Sequence, residues 1–426
     1  MVRKDFNAKS TRLKSLASWI LFLAVMLLSF SCSKNTAPVI ITLWTNKTEV
    51  VSYAELFNAS QNKEKVIVIY KEDLLEPLET IKKENRPDIL LGSYLLEAKG
   101  SRYFSAFSKA DFDENLFYPE LINIGHKDKR QYLLPVSFNL PALVFDVANS
   151  EYIQDEHFIS FDRVKEISKE FNAKSSDGTY TKMAFGAKWN QDFLALVFKE
   201  KGFSFSITNG ELSYDEGLFN STLTFLENWT NETNTSSYDE QDFSFKYLLT
   251  PFYKQISTNR SLFAYSTSNQ IMKLSEEKLS NIDFRWVCND SKIFIEDDIV
   301  MAGVYKKSAN KDNAKRFISW LLTEETQKRI LERKAAMHLD TSTFGIADGF
   351  SSLINVNEKL FPIYYKLLLT NVPVSDLLQQ PQFLSKSMNE TKEEILLPYI
   401  KDILNDTKTA EPLNERFTQW YKQHNL

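Results

Sequence analysis

Three short apolar segments separated by helix-like stretches constrain the fold of this chain more than any other feature. The first, "VIITLWTN" (Val39–Asn46), is β-branched and bounded by a polar turn, the pattern of a buried strand. Asn46 with Glu49 reads as a helix cap, and the helix that follows carries Val50, Tyr53, Ala54 and Phe57 on one face. "KVIVIY" (Lys65–Tyr70) is a second strand, "LLEPLETIKKEN" reads as a helix, and "PDILLGSYL" (Pro87–Leu95) as a third strand and its exit. Strand, helix, strand, helix, strand is the order of a parallel sheet with crossovers. Ligands in such sheets collect at the carboxyl ends of the strands. Here those ends are Trp44-Thr45-Asn46 and Gly92-Ser93-Tyr94.

A second α/β block follows. "LPALVFD" (Leu140–Asp146), "MAFGAKW" (Met183–Trp189) and "SLFAYST" (Ser261–Thr267) are strand-like, with helical stretches between them. Ile299–Tyr305 reads as a further strand. Asn310 then precedes a helix whose apolar positions are Ala314, Phe317, Ile318, Leu321 and Leu322, an amphipathic stripe. From about Leu353 onward the chain reads as mainly helical, punctuated by Pro373, Pro381 and Pro398.

The amino terminus sets the compartment. Leu16–Phe30, "LASWILFLAVMLLSF", is 15 residues long, short of the about 20 that span a bilayer. Five basic residues and one acid precede it, and Ser29, Ser31 and Cys32 follow its core, as in a secretory signal. The site resembles a relaxed lipobox, in which cleavage precedes an acylated cysteine. Residues 1–31 then form the lipoprotein signal peptide, Cys32 the lipidation site and 32–38 a tether; the alternative is an uncleaved anchor helix. Loss of residues 1–31 takes the net charge from −5 to −9, which gives no global attraction for nucleic acid. The other cysteine, Cys288, has no intrachain partner, so no disulfide is expected.

Four blocks together resemble the extracellular solute-binding proteins of ABC importers, in the class that includes sugar-binding lipoproteins. "ITLWTN" is similar to their opening strand, "RPDILLGSYL" to their third-strand block, and "QYLLPVSFNLPALVFD" to their crossover segment. "VYKKSANKDNAKRFISWLLTEETQKRIL" is similar to their return helix. The blocks span residues 39–335, about 70% of the chain. The resemblance implies an α/β, two-lobed periplasmic-binding-protein-like fold of class II type, with discontinuous lobes joined by hinge segments. The lobes are placed at 39–139 plus 300–336 and at 140–297 plus 337–426. It also implies a monomer without enzymatic activity or cofactor, which binds a small solute, most simply a sugar, and delivers it to ABC permease subunits. A surface lipoprotein that uses the fold for adhesion or structure is the alternative.

A sugar cleft needs aromatic faces and directed polar groups. Trp44 and Asn46 stand at one strand exit and Ser93 and Tyr94 at the next; lobe-core packing and an ordinary turn are the competing readings. Phe138 and Asn139 lie at the first crossover. Trp189 and Asn190, in "KWNQ", follow a strand and open a helix, where free N–H groups are available. Tyr265 and Ser268 lie at a strand exit that lacks the aromatic residue the family places there. Asp297, in "EDD" (Glu296–Asp298), lies at the second crossover, where a solvated hinge is the alternative. The chain has no GxSxG, HExxH or P-loop, and its four histidines are scattered. "DFDENL" begins like a calcium loop, but Leu116 stands where glycine is required. No metal site is expected. Tyr364-Tyr365 reads as core.

Overall fold

The computed structural model describes residues 37–96, 102–153, 157–247, 249–339, 341–405 and 411–424. The expected signal peptide and Cys32 lie outside them. In chain order, β1 (Val39–Thr45), α1 (Val50–Ser60), β2 (Glu64–Tyr70) and β3 (Ile89–Ser93) come first. β4 (Leu134–Phe138) then crosses to β5 (Pro141–Asp146), followed by α2 (Gln191–Glu200), β6 (Ala264–Thr267), α3 (Ser268–Met272) and β7 (Ile282–Val287). β8 (Val300–Tyr305), α4 (Lys311–Leu321), α5 (Glu324–Ala336), β9 (Phe350–Ser351) and α6 (Leu397–Leu404) follow, with further helices and short strands between these elements.

Two large sheets result among the described residues, one per lobe, beside four two-stranded ones. The first has the order β9-β4-β8-β3-β1-β2, with Phe104–Ser105 paired to β8. β1 is parallel to β2 and β3, whereas β8 runs antiparallel to both of its neighbours. The second has the order β6-β5-β7 and ends in the short strand Phe158–Ile159. α1 buries the predicted face, Val50, Tyr53, Ala54 and Phe57. α4 buries Ala314, Phe317, Ile318 and Leu321 as its stripe predicts. The two helices meet where Phe57 sets its edge against Phe317 and Trp320, at 5.1 and 5.0 Å.

Four local expectations change. Residues 74–85 form two 3-10 turns, Glu76–Glu79 and Lys83–Asn85, in place of a helix. Pro77 lacks an amide donor, and Leu74, Leu75 and Leu78 are drawn down into the core. Asn46 does not cap α1; its side chain pairs with the backbone of Ser93 instead. Residues 183–189 form no strand. The chain turns at Gly186, where an added Cβ would stand 2.4 Å from the Trp189 indole. The second lobe does not resume at residue 337. β9 pairs with β4, and Phe344, Phe350, Phe361 and Leu368 belong to the first core, so the chain returns only at about 371–382. A two-residue strand inside a Leu-rich run leaves no periodic signal that would mark this.

The cores meet through rings. Tyr118, Phe138, Phe350 and Trp286 follow one another at 5.3, 5.7 and 5.7 Å, running from the first sheet to β7 of the second. Phe350 also touches Phe344 and Phe361. Phe350→Ala is therefore expected to cost about 3–5 kcal/mol, the range for truncating a buried phenylalanine. Urea denaturation measures this, and a loss below about 1 kcal/mol would contradict the bridging role.

Candidate functional site

Three stretches of chain pass between the lobes, at 139–140, 288–299 and about 371–382. The second and third meet at one buried carboxylate, Asp297, and the first reaches its neighbour, where the Asn139 carbonyl accepts the Glu296 N–H at 3.0 Å. Asp297 accepts the backbone N–H groups of Gln382 and Phe383 at 3.0 and 3.3 Å. It also faces two ammonium groups, Lys199 of α2 at 3.4 Å and Lys392 at 3.3 Å. Lys199 is only 2% exposed. Burial opposes ionisation of Asp297, but the two lysines and the two N–H groups outweigh it and hold the carboxyl below its ordinary range. A buried charge persists when it is paired and fully hydrogen-bonded.

Beside this knot runs a groove with two adjoining cavities of about 320 and 200 Å³, joined at Tyr94 and Asp298. Small-ligand sites usually occupy about 300–1,000 Å³. The first lobe contributes Asn46, Asp73, Ser93 and Tyr94. The second contributes Asp192, Asn269, Gln270, Lys386, Asn389 and Glu393. Asn139 and Glu296–Asp298 form the floor. Asp73 and Lys386 pair across the groove at 3.0 Å. Burial works against the Asp73 charge, but the Glu76 N–H and Lys386 more than compensate and lower its carboxyl. A larger cavity, about 580 Å³, lies between residues 109–117 and the end of α4. It involves one lobe alone.

The floor is arranged by short hydrogen bonds. Ser93 Oγ donates to the Asp298 carbonyl at 2.6 Å, which ties the first lobe to the interlobe stretch. Asn139 Nδ2 donates to the Asp348 carbonyl at 3.0 Å, and its Oδ1 accepts from Ser268 Oγ at 2.7 Å. Tyr265 donates its hydroxyl to Glu296 at 2.9 Å. Burial pushes Glu296 up to about 7, aided by Asp297 and Asp298 and opposed by Lys199. Burial also raises Asp192, with Glu393 adding to the effect. Asp298 Oδ1 is buried and has no hydrogen-bond partner among the described residues. Tyr94 takes φ 61°, a left-handed conformation uncommon for a non-glycine residue, which turns the chain into the groove.

Of the residues expected from sequence, Asn46, Ser93, Tyr94, Asn139 and Asp297 line the groove. Trp44 is 3% exposed in the first core, with Lys71 over its ring at 5.4 Å. Phe138 packs in the ring series between Tyr118 and Phe350. Trp189 stacks on Phe243 at 5.7 Å beside a separate cavity. Asn190 caps α2 through the Asp192 and Phe193 amides. Tyr265 and Ser268 stand behind the lining and hold Glu296 and Asn139. Sequence reasoning missed Asp192, Lys386, Asn389, Lys392 and Glu393. Asp192 lies two residues beyond the Asn190 cap and was within reach of that argument. The others come from the late return of the chain, which no motif marks. Among the described residues no cluster of three or more potential metal ligands exists, and no helix is long and apolar enough to cross a membrane.

No family model matches the sequence, and no curated protein matches it. Solved structures do. An extracellular solute-binding protein family 1 member from Alicyclobacillus acidocaldarius is 13% identical, covering 91% of this chain and 98% of its own, with a TM-score of 0.60. A cyclic alpha-maltosyl-1,6-maltose binding protein from Arthrobacter globiformis is 14% identical over 90% and 97%, with a TM-score of 0.59. The bacterial solute receptor AcbH, described as preferring β-D-galactopyranose exclusively, is 13% identical over 92% and 100%, with a TM-score of 0.61. The chain has the two-lobed α/β fold of periplasmic binding proteins, as the sequence resemblance implies.

Asp297→Asn would leave Lys199 and Lys392 buried against a neutral group. We expect a loss of about 3–5 kcal/mol in chemical denaturation. Glu296 titrates at about 7 when folded against an ordinary 4.5. The folded state therefore binds its proton more tightly, and the associated stability is present below about pH 4.5 and is lost as pH rises through about 7. Glu296→Gln should flatten that part of the stability–pH curve; an unchanged slope would refute the assignment.

Proposed function

We propose that the chain is a solute receptor that binds a carbohydrate in the interlobe groove, without covalent chemistry, and passes it to an ABC permease. The observation that carries this is the groove itself, where amide, hydroxyl and carboxylate groups from both lobes converge around the Asp297 knot. A ligand that bridges them favours a closed arrangement of the lobes, because only a ligand with unequal affinity for two states shifts their populations. The sugar-binding descriptions of the structural relatives support the ligand class. Carboxylates and amides are suited to hydroxyl groups, and the unpartnered Asp298 Oδ1 is an acceptor ready for one. Glu296 has a pKa suited to a general acid, but its carboxylate is engaged by Tyr265 and lies 3.9 Å from Lys199.

The reading includes membrane attachment through an acylated Cys32 and residence in the cell envelope. The short apolar run and the seven-residue tether support it. Fatty-acid labelling of the wild type should be abolished by Cys32→Ala; unchanged labelling would exclude lipidation there.

For the ligand, thermal shift and calorimetry against neutral mono- and oligosaccharides should yield at least one sugar that raises Tm. Asp298→Asn should weaken its binding by about tenfold or more, the effect of spoiling a hydrogen bond to a charged acceptor. Silence across the whole sugar panel would remove the carbohydrate reading.

A further inference from the structure

Sheets built from parallel strands normally have both faces covered. One face of β1 and β2 does not. Paired residues in parallel strands share a face, and the register places Ile40 beside Lys65, Thr42 beside Ile67 and Trp44 beside Ile69. The opposite face, with Ile41, Leu43 and Val66, is buried under α1. On this face Ile40 and Ile67 are each 44% exposed and Ile69 39%, whereas Trp44 beside Ile69 is covered at 3%, so the open part is the start of β1 and the length of β2. The residues predicted to form a covering helix make only two 3-10 turns. Their leucines serve the inner strands instead, since a Cβ added at Gly92 of β3 would meet Leu74. The outer strand is left bare.

The rim of this face is basic where the strands begin. Lys63 and Lys65 are exposed on or next to β2, and Lys82 and Lys83 are exposed in the turn before β3, with Glu84 among them; the exposed acids Glu72, Glu76 and Glu79 lie farther along, after the end of β2. The strand edge is closed to a second copy at its first half. Gln61 and Asn58 side chains hydrogen-bond the outward backbone groups of Glu64 and Val66. Such capping is how edge strands avoid pairing with other chains.

The position in the chain identifies the occupant. β1 starts nine residues after the apolar run Leu16–Phe30 ends and seven after Cys32. At about 3.5 Å per residue this keeps β1 within roughly 30 Å of any membrane attachment there. The Val39 N–H bonds the Lys63 carbonyl, so β1 starts beside the basic end of β2.

We propose that this face rests on an anionic lipid surface. Ile40, Ile67 and Ile69 enter the headgroup boundary, and the lysines around them meet lipid phosphates, the combination that holds interfacial segments at a bilayer. The proposal rests on the membrane attachment argued above and is independent of the ligand.

The full chain carrying Cys288→Ser and Ile67→Cys is reconstituted into phosphatidylglycerol vesicles and labelled with an environment-sensitive dye. The parent without Ile67→Cys gives the background, and Leu249→Cys, at a position 95% exposed, gives the aqueous reference. The label at 67 is expected to be blue-shifted and roughly twofold brighter than in detergent, as for a group entering the interface. Phosphatidylcholine vesicles, or Ile40→Glu with Ile69→Glu, should remove the change. A chain that fails to float with the vesicles overturns the attachment and this proposal together. A chain that floats with a water-exposed label at 67 overturns this proposal alone. A concentration-dependent change in detergent would assign the face to a second copy and also overturn it.

Discussion

The Asp297 carboxylate is the constraint on which the rest of the arrangement depends. Four partners reach it from three parts of the chain: Lys199 from α2, Lys392 from the carboxyl-terminal segment, and two amides from the third interlobe stretch. Without these partners a charge at this depth would revert to the neutral acid. With them, α2, the hinge and the helical segment around Lys392 are fixed relative to one another, and the groove inherits a rigid floor. Neighbouring groups then take their properties from the knot. Glu296 is raised because it is buried and because a committed negative charge lies next to it.

Much of the fold was legible in the sequence because its strongest signals are local. The apolar runs of β1, β2 and β3 and the stripe of α4 each state their own burial pattern. The signals failed where tertiary contacts overrode local preference. Pro77 and three core-seeking leucines unmade a helix whose composition favoured one. The return to the second lobe was placed too early because β9 is defined by its pairing with β4, not by its own sequence.

The candidate site was legible in part, and the division has a physical cause. Strand exits and crossover positions are set by topology, so Asn46, Ser93, Tyr94, Asn139 and Asp297 could be named. Aromatic type was a poorer guide. Trp44, Phe138 and Trp189 each found a packing partner, and burying a large ring in a core is the commoner outcome. The groove is consequently lined by carboxylates, amides and lysines, with Tyr94 as its ring. Sites of this composition discriminate by which hydroxyl or amine satisfies each group, since a missing partner leaves a buried polar atom unpaired.

The place of β8 in the first sheet has a consequence for the order of assembly. It lies between β3 and β4 and hydrogen-bonds to both, yet it follows β3 by about two hundred residues. Until it is made, β3 and β4 each present an unfilled edge and the first lobe has no continuous sheet. A nascent chain can finish neither lobe early, because the second also waits for residues beyond 380 to reach Asp297. Contacts so distant in sequence slow folding and prolong the lifetime of open strands. The fold is thus suited to a polypeptide that stays unstructured until it is complete.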